Sequence, residues 1–140
     1  MEGSKYLCKL NNDILKNYKY VTKLRANYNQ KITNMNRMTK LIDLFAIGSC
    51  GTNDGGIINL DNLAIQNVDQ NSKITNINRT MKLKELHACE SCRINDGGII
   101  NLNDLVILYA SDNSKIININ HMTKIKQKYM QNLWQSTMEE

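Results

Sequence analysis

The sequence predicts an α/β solenoid, a chain wound into stacked coils with a parallel β-sheet on the concave face and short helices or turns on the convex face. Two observations carry this. Lys73 to Ser114 matches the 42 residues before it, Lys31 to Ser72, at most positions: KITNMNRMTKL answers to KITNINRTMKL and SCGTNDGGIINLDNL to SCRINDGGIINLNDL, and a third copy opens at Lys115 with KIININHMTKIK and then fades. Self-similarity at a fixed period of this size marks a repeat architecture, in which a unit too small to bury its apolar face alone buries it against its neighbours. The second observation is a shorter rhythm inside the first. The pattern L-x-x-L-x-A-x-x-(N/S) starts at Val21, Leu41, Leu63, Leu83 and Leu105, in steps of 20, 22, 20 and 22 residues, so one coil is about half of the sequence repeat.

Composition agrees. At 140 residues the chain has room for one domain. It contains no proline and only 6% aromatic residues, but its apolar residues are placed periodically rather than scattered, which separates it from a disordered low-complexity segment. No run of about 18 apolar residues is present for a membrane span. The opening MEGSKYLCKLNND lacks the apolar centre of a secretory signal, so an intracellular, cytoplasmic protein is expected, monomeric and without a membrane partner. The net charge of +5 leaves nucleic acid or an acidic partner open.

In chain order, residues 1–11 enter in mid-repeat, since Cys8 lies 42 residues before Cys50 and Cys50 lies 42 before Cys92. They form an incomplete N-terminal repeat of a single domain, 1–140, with five to six repeats. Apolar residues at the first, fourth and sixth positions of each nine-residue copy predict a short strand with one face buried. Gln66 replaces one of those inward leucines and predicts a local defect. The stretches Asn53 to Leu60 and Asn95 to Leu102 predict a tight turn and a short helix, with Asp13, Asp54 and Asp96 as N-caps and Ile and Leu three apart facing inward. No Lys-Ser/Thr follows the paired glycines, so a phosphate-binding loop is not indicated. In the other half-repeat the inward residues are Ile32, Met35 and Met38, then Ile74, Ile77 and either Met81 or Thr80, then Ile116, Ile119 and Met122. Asn29, Asn71 and Asn113 fit buried amides that bond backbone groups of the turn. After Ile125 the pattern breaks, with Lys128 and Met130 in place of the next Leu and Ala. Residues 124–138 have good helix formers and Trp134, and are expected to form a helical C-terminal cap or a tail that docks a partner.

Residues 12–125 resemble a leucine-rich-repeat protein. The stretch Cys92-Arg93-Ile94-Asn95-Asp96-Gly97-Gly98-Ile99 is similar to cysteine-containing repeats of F-box adaptor proteins. Its alternation with K-I-T-N-I-N-x-M-T-K-L resembles leucine-rich-repeat proteins encoded by mimivirus-like giant viruses of amoebae, which would place the chain in a host cytoplasm. The resemblance implies the solenoid, and, where an F-box precedes such repeats, the substrate-recognition part of a ubiquitin-ligase adaptor. No F-box fits before Val21.

No catalytic constellation is legible: His87 and His121 fall on different faces of the coil, and no Ser or Cys stands beside a base. Neither enzymatic activity nor a cofactor is expected. Cys89-x-x-Cys92 has the spacing of half a zinc site without its second half, so no metal is expected either. Cys8, Cys50 and Cys92 stand two coils apart, roughly 9–10 Å, too far for disulfides and consistent with buried thiols.

Function is therefore sought on the surface. The third, fifth and seventh positions of the copies face away from the core and do not repeat, and they predict a concave protein-binding wall. Its candidate contact residues are Arg25, Asp43, Phe45, Ile47, Ile65, Asn67, Glu85, His87, Ile107 and Tyr109. Exposed apolar side chains interleaved with aromatics and arginine are typical of interfaces. A rival surface, for nucleic acid or another polyanion, is the charge ladders Lys31, Lys73, Lys115; Lys40, Lys82, Lys124; and Arg37, Arg79. Like charges about 10 Å apart repel by only about 0.4 kcal/mol in water. The ladders lack the aromatic interleaving that bases require, which argues for a protein partner first.

Overall fold

The computed structural model describes residues 9–130. A short helix, α1 (Asn12–Leu15), precedes six three-residue strands: β1 (Lys23–Arg25), β2 (Asp43–Phe45), β3 (Ile65–Asn67), β4 (Glu85–His87), β5 (Ile107–Tyr109) and β6 (Gln127–Tyr129). They form one parallel sheet in sequence order, each strand beside its chain neighbour. The chain is thus a right-through stack of coils, as the repeat predicts. Among the described residues no helix is long and apolar enough to cross a membrane.

The middle residue of each of the strands β1 to β5 is buried inside the coil, whereas that of β6 is exposed. Leu24, Leu44, Gln66, Leu86, Leu108 and Lys128 stand in register, and the sixth-position alanines Ala26, Ala46, Ala88 and Ala110 are buried beside them. Ile57 and Leu60, Ile99 and Leu102, and the Ile32, Met35, Met38 set close the core from the convex side. Burying a leucine or isoleucine contributes roughly 1.5–3 kcal/mol. Every coil lends its apolar row to the next, so the contribution exists only in the stack. Thr80, not Met81, takes the inward position: Thr80 is buried and donates to the Ile77 carbonyl at 2.7 Å, while Met81 is 62% exposed.

Past each strand the chain turns through one left-handed residue, at the eighth position of every copy: Tyr28, Gly48, Gln70, Glu90 and Asp112, with φ between 57° and 65°. Only Gly48 adopts this conformation freely; elsewhere it costs roughly 1–2 kcal/mol per residue. The recurrence at the same place in five coils shows that the turn is imposed by stacking rather than by local preference.

The convex turns differ from the expectation in their caps. Single 3-10 turns run over Asp54–Gly56 and Asp96–Ile99, and Asn53 and Asn95 cap them, accepting from the Gly56 and Gly98 amides at 3.1 and 3.0 Å. Asn11, not Asp13, caps α1, accepting from the Ile14 amide; Asp13 is exposed and paired with Lys16. Asp54 and Asp96 are released to reach one coil onward. The Asp54 carboxylate accepts from the Thr75 and Asn76 amides and the Thr75 hydroxyl, and Asp96 accepts from the Ile117 and Asn118 amides. The approach of the coils here is close: a Cβ on Gly56 or Gly98 would lie 2.2 Å from the carbonyl oxygen of Thr33 or Thr75. That contact is why the second glycine of each pair is needed.

The asparagine ladder lies where the sequence places it. Asn71 and Asn113 are buried and donate to the Ala46 and Ala88 carbonyls at 2.8 and 2.9 Å, Asn29 donates to the Leu10 carbonyl, and their side-chain oxygens accept from the Lys31, Lys73 and Lys115 amides.

At the C-terminal side a sixth strand replaces the start of the expected helical cap. Gln127–Tyr129 pairs with Ile107–Tyr109 although Lys128 occupies the leucine position, because backbone pairing to β5 does not depend on the side chain. Residues 131–138 of that expected cap lie outside the described residues.

Cys50 and Cys92 are buried, Cys89 is half-buried, and all three are free thiols; Cys8 lies outside the described residues. Burial, reinforced by Asp69, pushes the Cys89 thiol from 9.0 up to about 12, and burial pushes Cys92 up to about 11. Both are neutral at physiological pH. A thiol whose folded pKa is raised favours the folded state below its ordinary value, and that contribution is lost as pH climbs from about 9 toward 11–12.

Two outcomes follow from this packing. Gln66 is fully buried between Leu44 and Leu86, and neither its amide nitrogen nor its oxygen has a partner. Gln66→Leu removes about 1–3 kcal/mol of unsatisfied polarity and should raise Tm by several degrees in a calorimetric scan; a lower Tm would reveal a polar partner for the amide. Iodoacetamide labelling at pH 7.5, mapped by peptide mass spectrometry, should be at least about tenfold slower at Cys89 and Cys92 in the folded chain than in urea. The folded rate at Cys89 should still be rising above pH 9, and a plateau at neutral pH would contradict its raised pKa.

Candidate functional site: the concave sheet face

Each strand turns its two outer residues to the concave side. The third-position row runs Lys23, Asp43, Ile65, Glu85, Ile107, Gln127, and the fifth-position row runs Arg25, Phe45, Asn67, His87, Tyr109, Tyr129. Neighbouring parallel strands lie roughly 4.8 Å apart, close to the spacing of stacked aromatic rings. In-register rings on adjacent strands therefore stack without distortion.

The fifth-position row shows this directly. His87 and Tyr109 stack at 4.2 Å between centroids with their planes 17° apart, and Tyr109 and Tyr129 stack at 4.6 Å and 5°. At the other end the Arg25 guanidinium lies 4.8 Å from the centre of the Phe45 ring. Such aromatic pairs contribute about 0.5–1.5 kcal/mol beyond their buried area. They also hold large side chains in one orientation before any partner arrives.

Charged neighbours flank both clusters. Glu85 Oε1 lies 2.7 Å from His87 Nε2, and Lys23 Nζ lies 3.2 Å from Asp43 Oδ2. The acidic partners are positioned by the strand period, which puts third and fifth positions on one face.

Most of the sequence-predicted wall comes together here. Arg25 is exposed, and Phe45, Ile47, Ile65, Glu85, His87, Ile107 and Tyr109 are half-buried with part of each side chain open to solvent; Asp43 is half-buried and paired. Asn67 does not belong with them. It is in register but only 7% exposed, with its oxygen accepting from the Asp69 amide at 3.0 Å, so it divides the row instead of extending it. At the seventh positions Asn27 and Asp69 accept from the Ile47 and Cys89 amides across the coil boundary. Tyr129, 46% exposed, is the member that the pattern missed. Its signal was its position 20 residues after Tyr109, masked by the lysine in the strand's inward place.

The charge ladders are less uniform than their period suggests. Coils between the lysines carry counter-groups: Lys82 Nζ donates to Asn62 Oδ1 at 2.8 Å, and Asp104 pairs with Lys124 and, at 3.3 Å, with Lys84. Hydrogen bonds from Lys124 and Lys84 hold the Asp104 carboxyl below its usual range. Lys31, Lys73, Lys115, Arg37, Arg79 and Lys40 are exposed, and Arg93 fills the coil between Lys73 and Lys115. Among the described residues no three His, Cys, Asp or Glu side chains converge as a metal site. His121 sits on the convex side, 3.4 Å from the Ile99 carbonyl, far in sequence and face from His87.

No protein-family model matches this chain, and no curated protein matches it. Among solved structures it is similar to an internalin from Listeria monocytogenes, with a TM-score of 0.54 and 28% sequence identity over 72% of this chain. This chain spans 33% of that protein's length. With six parallel strands in sequence order, an inward leucine row and a parallel neighbour of that kind, the chain is a leucine-rich-repeat solenoid.

Proposed function

We propose that this chain is a non-catalytic scaffold that binds a protein partner through its concave sheet face. The observation that carries the reading is the fifth-position row: Arg25 with Phe45 at one end and His87, Tyr109 and Tyr129 at the other, solvent-facing, preorganised and, apart from the adjacent tyrosines, different from coil to coil. Solenoids present extended concave surfaces on a rigid frame, and the frame here repeats while these residues do not. Aromatic and arginine anchors concentrate binding energy in a few positions. Held in place by stacking, they lose little rotamer freedom on association. Ile47, Ile65 and Ile107 supply the apolar surround.

The test is affinity capture from the native cellular background with the intact chain and with Phe45→Ala/Tyr109→Ala, at low and high salt. Each ring is expected to contribute at hot-spot level, about 2 kcal/mol or more, so the double variant should lose the partner by well over tenfold while keeping its far-UV dichroism. Partners retained unchanged by the double variant would sink the concave reading. Capture that disappears in high salt and ignores both rings would favour the lysine and arginine ladders instead.

A further inference from the structure

We infer that the first coil carries a second site, fitted to single-stranded nucleic acid, in which an apolar slot takes a base beside a cationic hollow that takes phosphate. It uses none of the concave residues and stands or falls independently of the proposed function.

The site is built where the chain departs from its own repeat. Behind α1 runs Lys16-Asn17-Tyr18-Lys19-Tyr20. Tyr18 occupies the register of the buried Leu60 and Leu102, and Tyr20 that of Lys40, Asn62, Lys82, Asp104 and Lys124. Both tyrosines are open to solvent, Tyr18 at 42% and Tyr20 at 74%. Neither is needed for the core, and a large exposed ring at a position that elsewhere carries a polar side chain calls for another role.

Two shallow hollows lie along this segment. One, of about 540 Å³, lies between the Tyr20 ring and the exposed side chain of Ile42, with Lys40 at its rim. The other, of about 560 Å³, is bounded by Lys16, Asn17, Lys19 and Arg37. Lys19 Nζ lies 5.0 Å from the Tyr20 ring centroid, so a cation that bounds the second hollow stands beside the aromatic ring that bounds the first. Lys16 is paired with Asp13 at 2.7 Å. Among the described residues Lys19, Arg37 and Lys40 have no carboxylate within ion-pair range.

An aromatic face next to uncompensated cations matches the chemistry of a single strand, which offers an unstacked base next to an anionic phosphate. Fully paired duplex hides its base faces and could use the cations only. The exposed row Lys73, Arg93, Lys115 provides the internal comparison, since it has charge on three successive coils and no ring within the row.

The experiment is fluorescence anisotropy with a labelled oligothymidylate of about twelve nucleotides across a salt series, using the full chain. Saturable binding that weakens with salt is expected. Tyr20→Ala should weaken it at least about fivefold without changing the salt slope, and Tyr20→Phe should retain it. Lys19→Gln/Arg37→Gln should lower the slope by about 1.4, roughly 0.7 per phosphate contact. Lys73→Gln/Arg93→Gln should change neither quantity. No saturable binding, an unaltered affinity in Tyr20→Ala, or an equal loss in the Lys73/Arg93 pair would overturn the site. So would duplex DNA or a sulfated polysaccharide binding as tightly as the oligothymidylate, because that would reduce it to a general polyanion patch. Tyr20 is 74% exposed, so its removal leaves the fold intact, with circular dichroism as the check.

Discussion

A coil that stays in the sheet for only three residues has to satisfy the backbone amides and carbonyls of all its other residues by different means, and each buried group left unpaired costs about 1–3 kcal/mol. In this chain asparagine and aspartate do that work between coils. Asn71 and Asn113 reach back to carbonyls at the end of the preceding strand, while their oxygens take amides of their own turn. Asn12, Asp54 and Asp96 reach forward to pairs of amides on the next coil. Asn36 and Asn78 donate to the Gly55 and Gly97 carbonyls and accept from the Asn59 and Asn101 amides. The apolar rows decide that the chain coils; these bonds decide how one coil sits on the next.

The same bonds explain a period of 42 residues where the coil is about half as long. A longer coil with its 3-10 turn grips the following shorter coil through Asp54 or Asp96. A shorter coil grips the following longer one through Asn36 or Asn78, at the carbonyl and amide that flank the glycine-containing turn. Each type holds groups that only the other presents. Two coils of the same type in succession would leave both sets unmatched, so the alternation is enforced at every interface.

What could be read in the sequence follows from this division. Strand positions, the core and the buried asparagines were legible because each is tied to a residue type at a fixed offset. The caps were not. Asp13 looks like Asp54 and Asp96, but the residue in their register is Asn12, one position earlier, and asparagine just ahead of each turn takes the capping role. The sixth strand was obscured by Lys128, since pattern recognition weighs side chains whereas a strand at the end of a stack forms through its backbone. The concave wall was legible as a set of positions, but the ring stacking required a register of adjacent strands that no single copy contains. The hollow beside Tyr20 required two coils to be placed together.

Strand β3 departs from the pattern on both faces. Its inward residue is an unpartnered glutamine and its outward fifth-position residue is a buried asparagine bonded to its own turn. An inward leucine and an outward ring would have made the row continuous from Arg25 to Tyr129. Instead the face presents two rigid footholds, Phe45 and His87, on strands two apart, roughly 9–10 Å. Between them lies a lower strip in which Ile65 is the accessible apolar side chain. A partner matching this face needs a projection that settles over β3 and two flanking surfaces that meet the rings. An unbroken aromatic ridge would hold any flat apolar surface equally well, whereas a divided one selects by shape. The polar residues of β3 thus lie at the point where the proposed surface gains its discrimination, and there the fold carries its one buried, unbonded side chain among the described residues.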